Sequence, residues 1–328
     1  NKNERVSGPQ AIVNGIAPDG GLYVPESFPQ ISKTDLTAMR DMSYAERAAF
    51  IIGKFLPELE AVLPAAAEKA YARFDEGDPA PVIQIDEDVF YMELWHGPTH
   101  AFKDVALTML PYLLTESKKA LGDTQKTLIL VATSGDTGKA ALEGFKDVPG
   151  TEVMVFYPSD GVSPLQKLQM MTQTGGNVCV AGIRGNFDDA QTAVKKAFTS
   201  PELKAELAKS GRAFSSANSI NFGRLVPQIA YYFSAYLDIL DAHRIGLGNP
   251  VNFVVPTGNF GNILAGYYAY RMGLPVGKLI CASNRNNVLT DFFRDGEYSA
   301  DREFYKTMSP SMDILISSNL ERLLFEIS

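Results

Sequence analysis

The stretch Leu128–Ile129–Leu130–Val131–Ala132–Thr133–Ser134–Gly135–Asp136–Thr137–Gly138 decides the class of fold. Five apolar residues in a row, closed by a Thr/Ser/Gly turn, make a strand buried on both faces. The turn leads straight into Gly138–Phe145, where apolar residues recur at helical spacing. Working outward, the same unit repeats. Glu152–Tyr157, Asn177–Ala181 and Val251–Val255 read as buried strands, and Pro164–Thr172, Asp188–Phe198 and Leu225–Leu240 as helices. Strands alternating with helices predict an α/β protein with open parallel sheets covered by helices on both faces. Such sheets bind ligands beyond the carboxyl ends of their strands, so the chemistry is expected in the loops that follow them.

The first eighty residues read differently. Asp19–Gly20–Gly21 is a turn that leads into a predicted short strand at Leu22–Tyr23–Val24–Pro25, and Tyr44–Leu56 and Ala61–Phe74 read as helices. This region is expected to form an N-terminal, mostly helical layer. The acidic stretch Asp75–Asp78, with Pro79 and Pro81, is expected to be a linker. At 328 residues, two compact units are expected beyond that layer.

The net charge of −8 argues against a nucleic-acid partner, which requires a basic face. It does not exclude small phosphorylated ligands, which a few amides and one cation can hold. No apolar run is long enough to span a membrane, and no signal-peptide pattern follows the polar start, so a cytoplasmic location is expected. Cys179 and Cys281 form neither a disulfide framework nor a zinc spacing. His96 and His100 are four apart, but Pro98 between them argues against a metal-binding helix, and no metal is expected.

Three loops concentrate the candidate chemistry. Thr257–Gly258–Asn259–Phe260–Gly261–Asn262 follows an apolar strand and opens a helix at Ile263–Met272. Its glycines permit close backbone approach and the helix start offers unpaired amides, a combination that cradles phosphate. The same residues also suit a plain strand-to-helix turn. Thr133–Gly138 has the same shape, but it lacks the first glycine of a P-loop, and Ala140 stands where that motif needs Ser or Thr. Its hydroxyls suit a carboxylate or a cofactor ring, or simply a helix cap by Ser134 or Thr137. In Glu93–Leu94–Trp95–His96–Gly97–Pro98–Thr99–His100–Ala101–Phe102–Lys103–Asp104, Lys103 follows an apolar pair. A desolvated lysine becomes a nucleophilic amine, although most lysines are solvated surface residues.

Taken together, the His-Gly-Pro-Thr-x-Ala-Phe-Lys-Asp run, the Ser-Gly-Asp-Thr-Gly loop and the Gly-Asn-Phe-Gly-Asn loop resemble, in residues and in order, the pyridoxal-phosphate enzymes of the tryptophan-synthase β-subunit fold type, and within them the threonine synthases. Ala17–Pro25, Ser163–Pro164–Leu165–Gln166 and Ser216–Ala217–Asn218–Ser219–Ile220–Asn221 extend the similarity over the whole chain.

The resemblance implies pyridoxal 5'-phosphate as cofactor, held by Lys103 as a Schiff base, with its phosphate on Gly258, Asn259, Phe260, Gly261 and Asn262. Ser134, Gly135 and Asp136 would lie beside the cofactor, Thr133 and Thr137 beside the substrate, and Asn218, Ser219 and Arg224 on the substrate's phosphate. Arg224 suits that task by its bidentate fork, while taken alone it would read as a solvent-facing residue at a helix start. The implied fold is fold type II, divided into an N-terminal extension (1–80), a smaller α/β domain (102–218) and a larger cofactor-binding domain (81–101 with 219–328). The implied reaction converts O-phospho-L-homoserine and water into L-threonine and phosphate, in a homodimer or a monomer. A serine/threonine dehydratase-like lyase and an inactive cofactor-binding fragment are the alternatives. Members of the family continue beyond the point corresponding to Ser328, so the larger domain is expected to be C-terminally incomplete, without the hydroxyl residue that meets the pyridine nitrogen.

Overall fold

The described residues contain eight strands, most of them where apolar and β-branched residues run together between turns. In the computed structural model, which describes residues 5–75, 78–133, 135–159, 162–185, 187–299 and 301–328, they are β1 (Val82–Asp86), β2 (Val89–Met92), β3 (Lys126–Ala132), β4 (Thr151–Pro158), β5 (Val178–Ile183), β6 (Arg212–Ser215), β7 (Val251–Pro256) and β8 (Val276–Ala282). β1 and β2 pair as an antiparallel hairpin. The main sheet has the order β5-β4-β3-β6, parallel throughout, and β7 and β8 form a separate parallel pair. The α/β architecture with parallel sheets therefore stands.

The order of the main sheet locates its binding edge. From β3 the chain steps to β4 and β5 on one side and then returns to place β6 on the other. A reversal of this kind opens a crevice at the carboxyl ends of the two strands flanking it, here β3 and β6. The loop after β3 begins at Thr133, and the segment after β6 is Ser216–Asn221. Leu130 and Ala132 pack with Ala190 and Val194 of the helix Phe187–Thr199 on one face of this sheet. The helix Asp136–Phe145 buries Ala140, Ala141, Leu142 and Phe145 in the larger core.

The centre of that larger core is the helix Pro227–Asp241, buried almost all round, as its apolar and tyrosine-rich circumference requires. It begins later than the predicted helix at Leu225. Pro227 has no amide hydrogen and occupies the first turn, so the chain forms two helices, Phe222–Leu225 and Pro227–Asp241. The N-terminal layer contains the helices Gly8–Asn14, Lys33–Met39, Tyr44–Phe55 and Leu63–Tyr71. Ser32 and Ser43 close capping boxes with Asp35 and Glu46, which fixes two of the helix starts. The predicted helix Ala61–Phe74 is trimmed to Leu63–Tyr71, with Pro64 in its first turn.

One strand expectation fails. Leu22–Tyr23–Val24–Pro25 forms no strand, because side chains rather than a neighbouring strand satisfy its backbone. Leu22 N donates to Glu321 Oε1, and Tyr23 O accepts from Arg322 Nε. Glu76 and Gly77, in the expected linker, lie outside the described residues. Among the described residues no helix is long and apolar enough to cross a membrane.

Candidate active site

Lys103 stands at the start of the short helix Asp104–Leu107 and is buried, with 8% of its surface exposed. The loop before it is tied down locally. Asp104 accepts from Thr99 N at 2.7 Å and from Thr99 Oγ1 at 2.6 Å. A side chain at Gly97 would strike Asp104, whose Cβ lies 2.5 Å from the position of an added Cβ. His96 meets Glu93 and His100 meets Trp95 O, so each histidine has a local partner. Burial pushes the Lys103 amine down to about 8. Asp136 opposes that shift, and the Arg224 cation adds to it.

Asp136, in the second loop, lies 3.5 Å from Lys103 Nζ. Its Oδ1 accepts from Gln166 Nε2 at 2.9 Å, and its Oδ2 also accepts from Ser311 Oγ. Burial alone would raise this carboxyl, but Lys103, Ser311 and Gln166 together hold it below the ordinary range. Gly135 has φ 154°, and an added Cβ would meet Gln166 Nε2 at 2.2 Å, so only glycine fits beside this carboxylate. Ser134 lies outside the described residues. Among the described residues, the hydroxyl that meets amides at this helix start is that of Thr133. Thr133 Oγ1 accepts from Gly135 N at 2.9 Å and from Gly138 N at 3.0 Å. The Thr133 hydroxyl is thus committed to shaping the loop, while Thr137 is half-buried on the helix's first turn.

Beyond β6, Arg224 is buried and donates through Nη1 to Ala217 O at 2.8 Å. It does not face solvent, and among the described residues no carboxylate pairs with it. Burial brings its guanidinium down to about 10. A buried cation without a counter-ion is costly unless a ligand supplies the anion. Asn218 and Ser219 are half-buried on the same segment.

The third loop adjoins that segment. A Cβ added to Gly261 would lie 3.7 Å from Ser219 Cβ, and one added to Gly258 would lie 3.2 Å from Met312 Cα. The helix Gly261–Arg271 starts directly from the loop, leaving its first amides without acceptors in their own helix. The left-handed position is taken by Phe260, φ 65°, rather than by a glycine. Asn262 turns its side chain away from the loop, its Oδ1 accepting from Tyr231 OH at 2.6 Å and Tyr232 OH at 2.8 Å. What Asn262 offers an anion is therefore its backbone amide.

Four residues with no motif of their own complete the surroundings: Ser311, Ser317, Asn319 and Arg322. Only the folded chain brings them to these loops.

A model of the pyridoxal-phosphate dependent enzymes matches residues 78–327, and one of the threonine synthase N terminus matches residues 1–71. The chain belongs to the pyridoxal-phosphate dependent enzymes. Among its relatives are human threonine synthase-like 1, 42% identical over 95% of this chain, and the threonine synthase of Pseudomonas aeruginosa, 40% identical over 96%. The chain spans 43% of the length of the former and 65% of the latter. Among solved structures, pyridoxal-phosphate-bound threonine synthase from Brucella melitensis superposes with a TM-score of 0.89 at 41% identity, covering 98% of this chain and 67% of that one. Yeast threonine synthase superposes with a TM-score of 0.88 at 36% identity, covering 99% and 65%. The fold is therefore fold type II, within the threonine synthase group.

Pyridoxal phosphate is the cofactor of this family, and the residues present fit it. A desolvated primary amine, a helix start with free amides and a glycine at the tightest point of the loop are the donor set that an aldehyde bearing a phosphate requires.

Proposed function

We propose that this chain holds pyridoxal phosphate through Lys103 and, within a threonine synthase, converts O-phospho-L-homoserine and water into L-threonine and inorganic phosphate. The observation that carries the reading is the buried Arg224, free of any carboxylate among the described residues yet close enough to depress the Lys103 amine. An unphosphorylated amino acid offers such a cation only its carboxylate, whereas phosphohomoserine also brings a phosphate that suits the guanidinium fork.

In this reading Gly258, Asn259, Phe260, Gly261 and Asn262 receive the cofactor's phosphate. Gly135 and Asp136 flank its ring, Thr137 lines the approach of the substrate with Thr133 shaping the loop behind it, and Asn218, Ser219 and Arg224 receive the substrate's phosphate. When bound, the cofactor supplies an electron sink for charge released at the substrate's carbons. Lys103 removes the α-proton, a role suited to an amine whose pKa lies close to the working pH. Loss of a β-proton lets the γ-phosphate leave, and Arg224 offsets the charge developing on it. Water then adds at the β-carbon, and Lys103 returns protons to the carbon skeleton. We place the domain boundaries at 1–80, 102–218, and 81–101 with 219–328. The separation of β3–β6 from β7–β8 supports that division, and Lys103 lies at its first junction.

The test has two parts. Borohydride reduction of the loaded protein, followed by peptide mapping, should label Lys103; label on Lys139 or Lys167 would overturn the attachment. Arg224→Ala should raise KM for phosphohomoserine roughly ten- to a hundredfold, the loss expected for a charge-assisted contact. Its slow reactions with unphosphorylated amino acids should not change. Equal losses on both kinds of substrate would instead favour a dehydratase-like lyase.

A further inference from the structure

An anion site made of backbone amides works only while the neighbouring carbonyl oxygens are turned elsewhere. Each trans peptide plane carries its donor on one side and its acceptor on the other. In the Gly258–Asn262 loop, one distant segment takes up two of those oxygens. Ser317 Oγ donates to Gly258 O at 2.5 Å. Asn259 O accepts from Asn319 N at 3.1 Å and from Asn319 Nδ2 at 3.2 Å. The amides of the same two planes, those of Asn259 and Phe260, must then point away from residues 317–319. Phe260 follows in the left-handed region, which a bulky residue holds only where its surroundings fix it.

The segment that grips these oxygens is itself anchored. Ser317 N donates to Tyr298 OH at 2.7 Å, and Asn319 Oδ1 accepts from Arg322 Nη1 at 2.5 Å. Arg322 is fully buried. It donates through Nε to Tyr23 O at 2.9 Å and through Nη2 to Ile220 O at 2.7 Å, while Ser219 O lies 3.5 Å from Nη1. One segment thus collects carbonyl oxygens from the third loop, from the segment after β6 and from the N-terminal layer.

We propose that Ser317 and Asn319 are positioning residues which, anchored by Arg322, hold the Gly258 and Asn259 peptide planes so that the loop presents amide donors to the cofactor's phosphate. This rests on the reading of Gly258–Asn262 as the phosphate site. Neither residue touches the reacting atoms, so their effect falls on recognition of the phosphate and not on attachment of the aldehyde.

The experiment titrates the cofactor-free full chain with pyridoxal phosphate and with pyridoxal, which has the same ring and aldehyde but no phosphate. The ratio of the two Kd values isolates the contribution of the phosphate. Ser317→Ala and Asn319→Ala should each shrink that ratio roughly tenfold, with pyridoxal binding unchanged. Ser317→Thr should restore it. Ser317→Ala alone carries the test should the buried Asn319 prove intolerant. A ratio unchanged in folded Ser317→Ala overturns the inference, and so does equal weakening of both ligands, which marks general damage. A wild-type chain that fails to distinguish the two ligands overturns the assignment of the loop, and the inference with it.

Discussion

Lys103 shows how a reactive residue is made at the expense of stability. Burial lowers its amine from the ordinary 10.5 to about 8, so keeping the folded amine charged costs roughly 3 kcal/mol. The folded amine loses its proton near pH 8 and the unfolded one only near 10.5. Between those values the unfolded chain binds more protons, so stability from this group rises with pH. At pH 7 both states are charged and the penalty is complete. Cofactor-free Lys103→Met should therefore be more stable than the parent at pH 7, by about 1–3 kcal/mol, since Asp136 loses a counter-ion and returns part of the gain. The advantage should fade as pH approaches 10.5. Denaturant midpoints measured across this range check it, and parallel curves for the two proteins would contradict it. Lys103 stood out in the sequence through its apolar neighbours and its motif. Ser311, which holds the neighbouring Asp136, did not, because its contact spans 175 residues and leaves no local pattern. Gln166, the other partner of Asp136, stood in a recognisable segment, but its contact 30 residues away did not show.

At the scale of elements, strands such as Leu128–Ala132 were legible because a run of apolar residues has one good solution, a strand buried on both faces. β1, β2, β6 and β8 were missed, their exposed or half-exposed patterns giving no such run. Leu22–Pro25 looked like a strand, but Leu22 N and Tyr23 O are satisfied by Glu321 and Arg322, nearly 300 residues away. Glycines separate the same two levels of information. A Cβ added at Gly144 would lie 2.1 Å from Leu107 O, where the Asp104–Leu107 helix packs on Asp136–Phe145. Gly144→Ala should therefore destabilise by about 1–3 kcal/mol and disturb the Lys103 it helps to place, despite the better helix propensity of alanine. Gly53, inside the helix Tyr44–Phe55, has its nearest obstacle at 3.5 Å. Gly53→Ala should stabilise by about 0.5–1 kcal/mol. The two variants should move the denaturant midpoint in opposite directions, and movement in the same direction would refute the packing argument.

At the scale of the molecule, the boundary between residues 71 and 78, where two family models meet, is not a boundary in the core. Ile51 and Ile52 from the N-terminal layer share one buried cluster with Tyr231, Tyr232 and Tyr236 of the central helix. Arg47 of that layer reaches across to Asp238 Oδ1 at 2.7 Å and to Ser234 Oγ at 2.9 Å. The same central helix holds Asn262 through Tyr231 and Tyr232 and carries Gln228, whose Nε2 donates to Arg224 O at 2.8 Å. The layer that read as an extension thus backs the helix on which both candidate anion sites rest. Removing residues 1–77 would expose the tyrosine-rich face of Pro227–Asp241 and leave Asp238 without Arg47. Burial already raises the Asp238 carboxyl, with Arg47 opposing the shift, so the loss of Arg47 leaves a poorly solvated charge beside apolar surface newly open to water. A chain of residues 78–328 should accordingly lose cooperative unfolding, bind a hydrophobic dye such as ANS and retain pyridoxal phosphate only weakly. Sharp unfolding together with parental cofactor affinity in that truncated chain would show the layer to be dispensable, and the site to be supported by the α/β part alone.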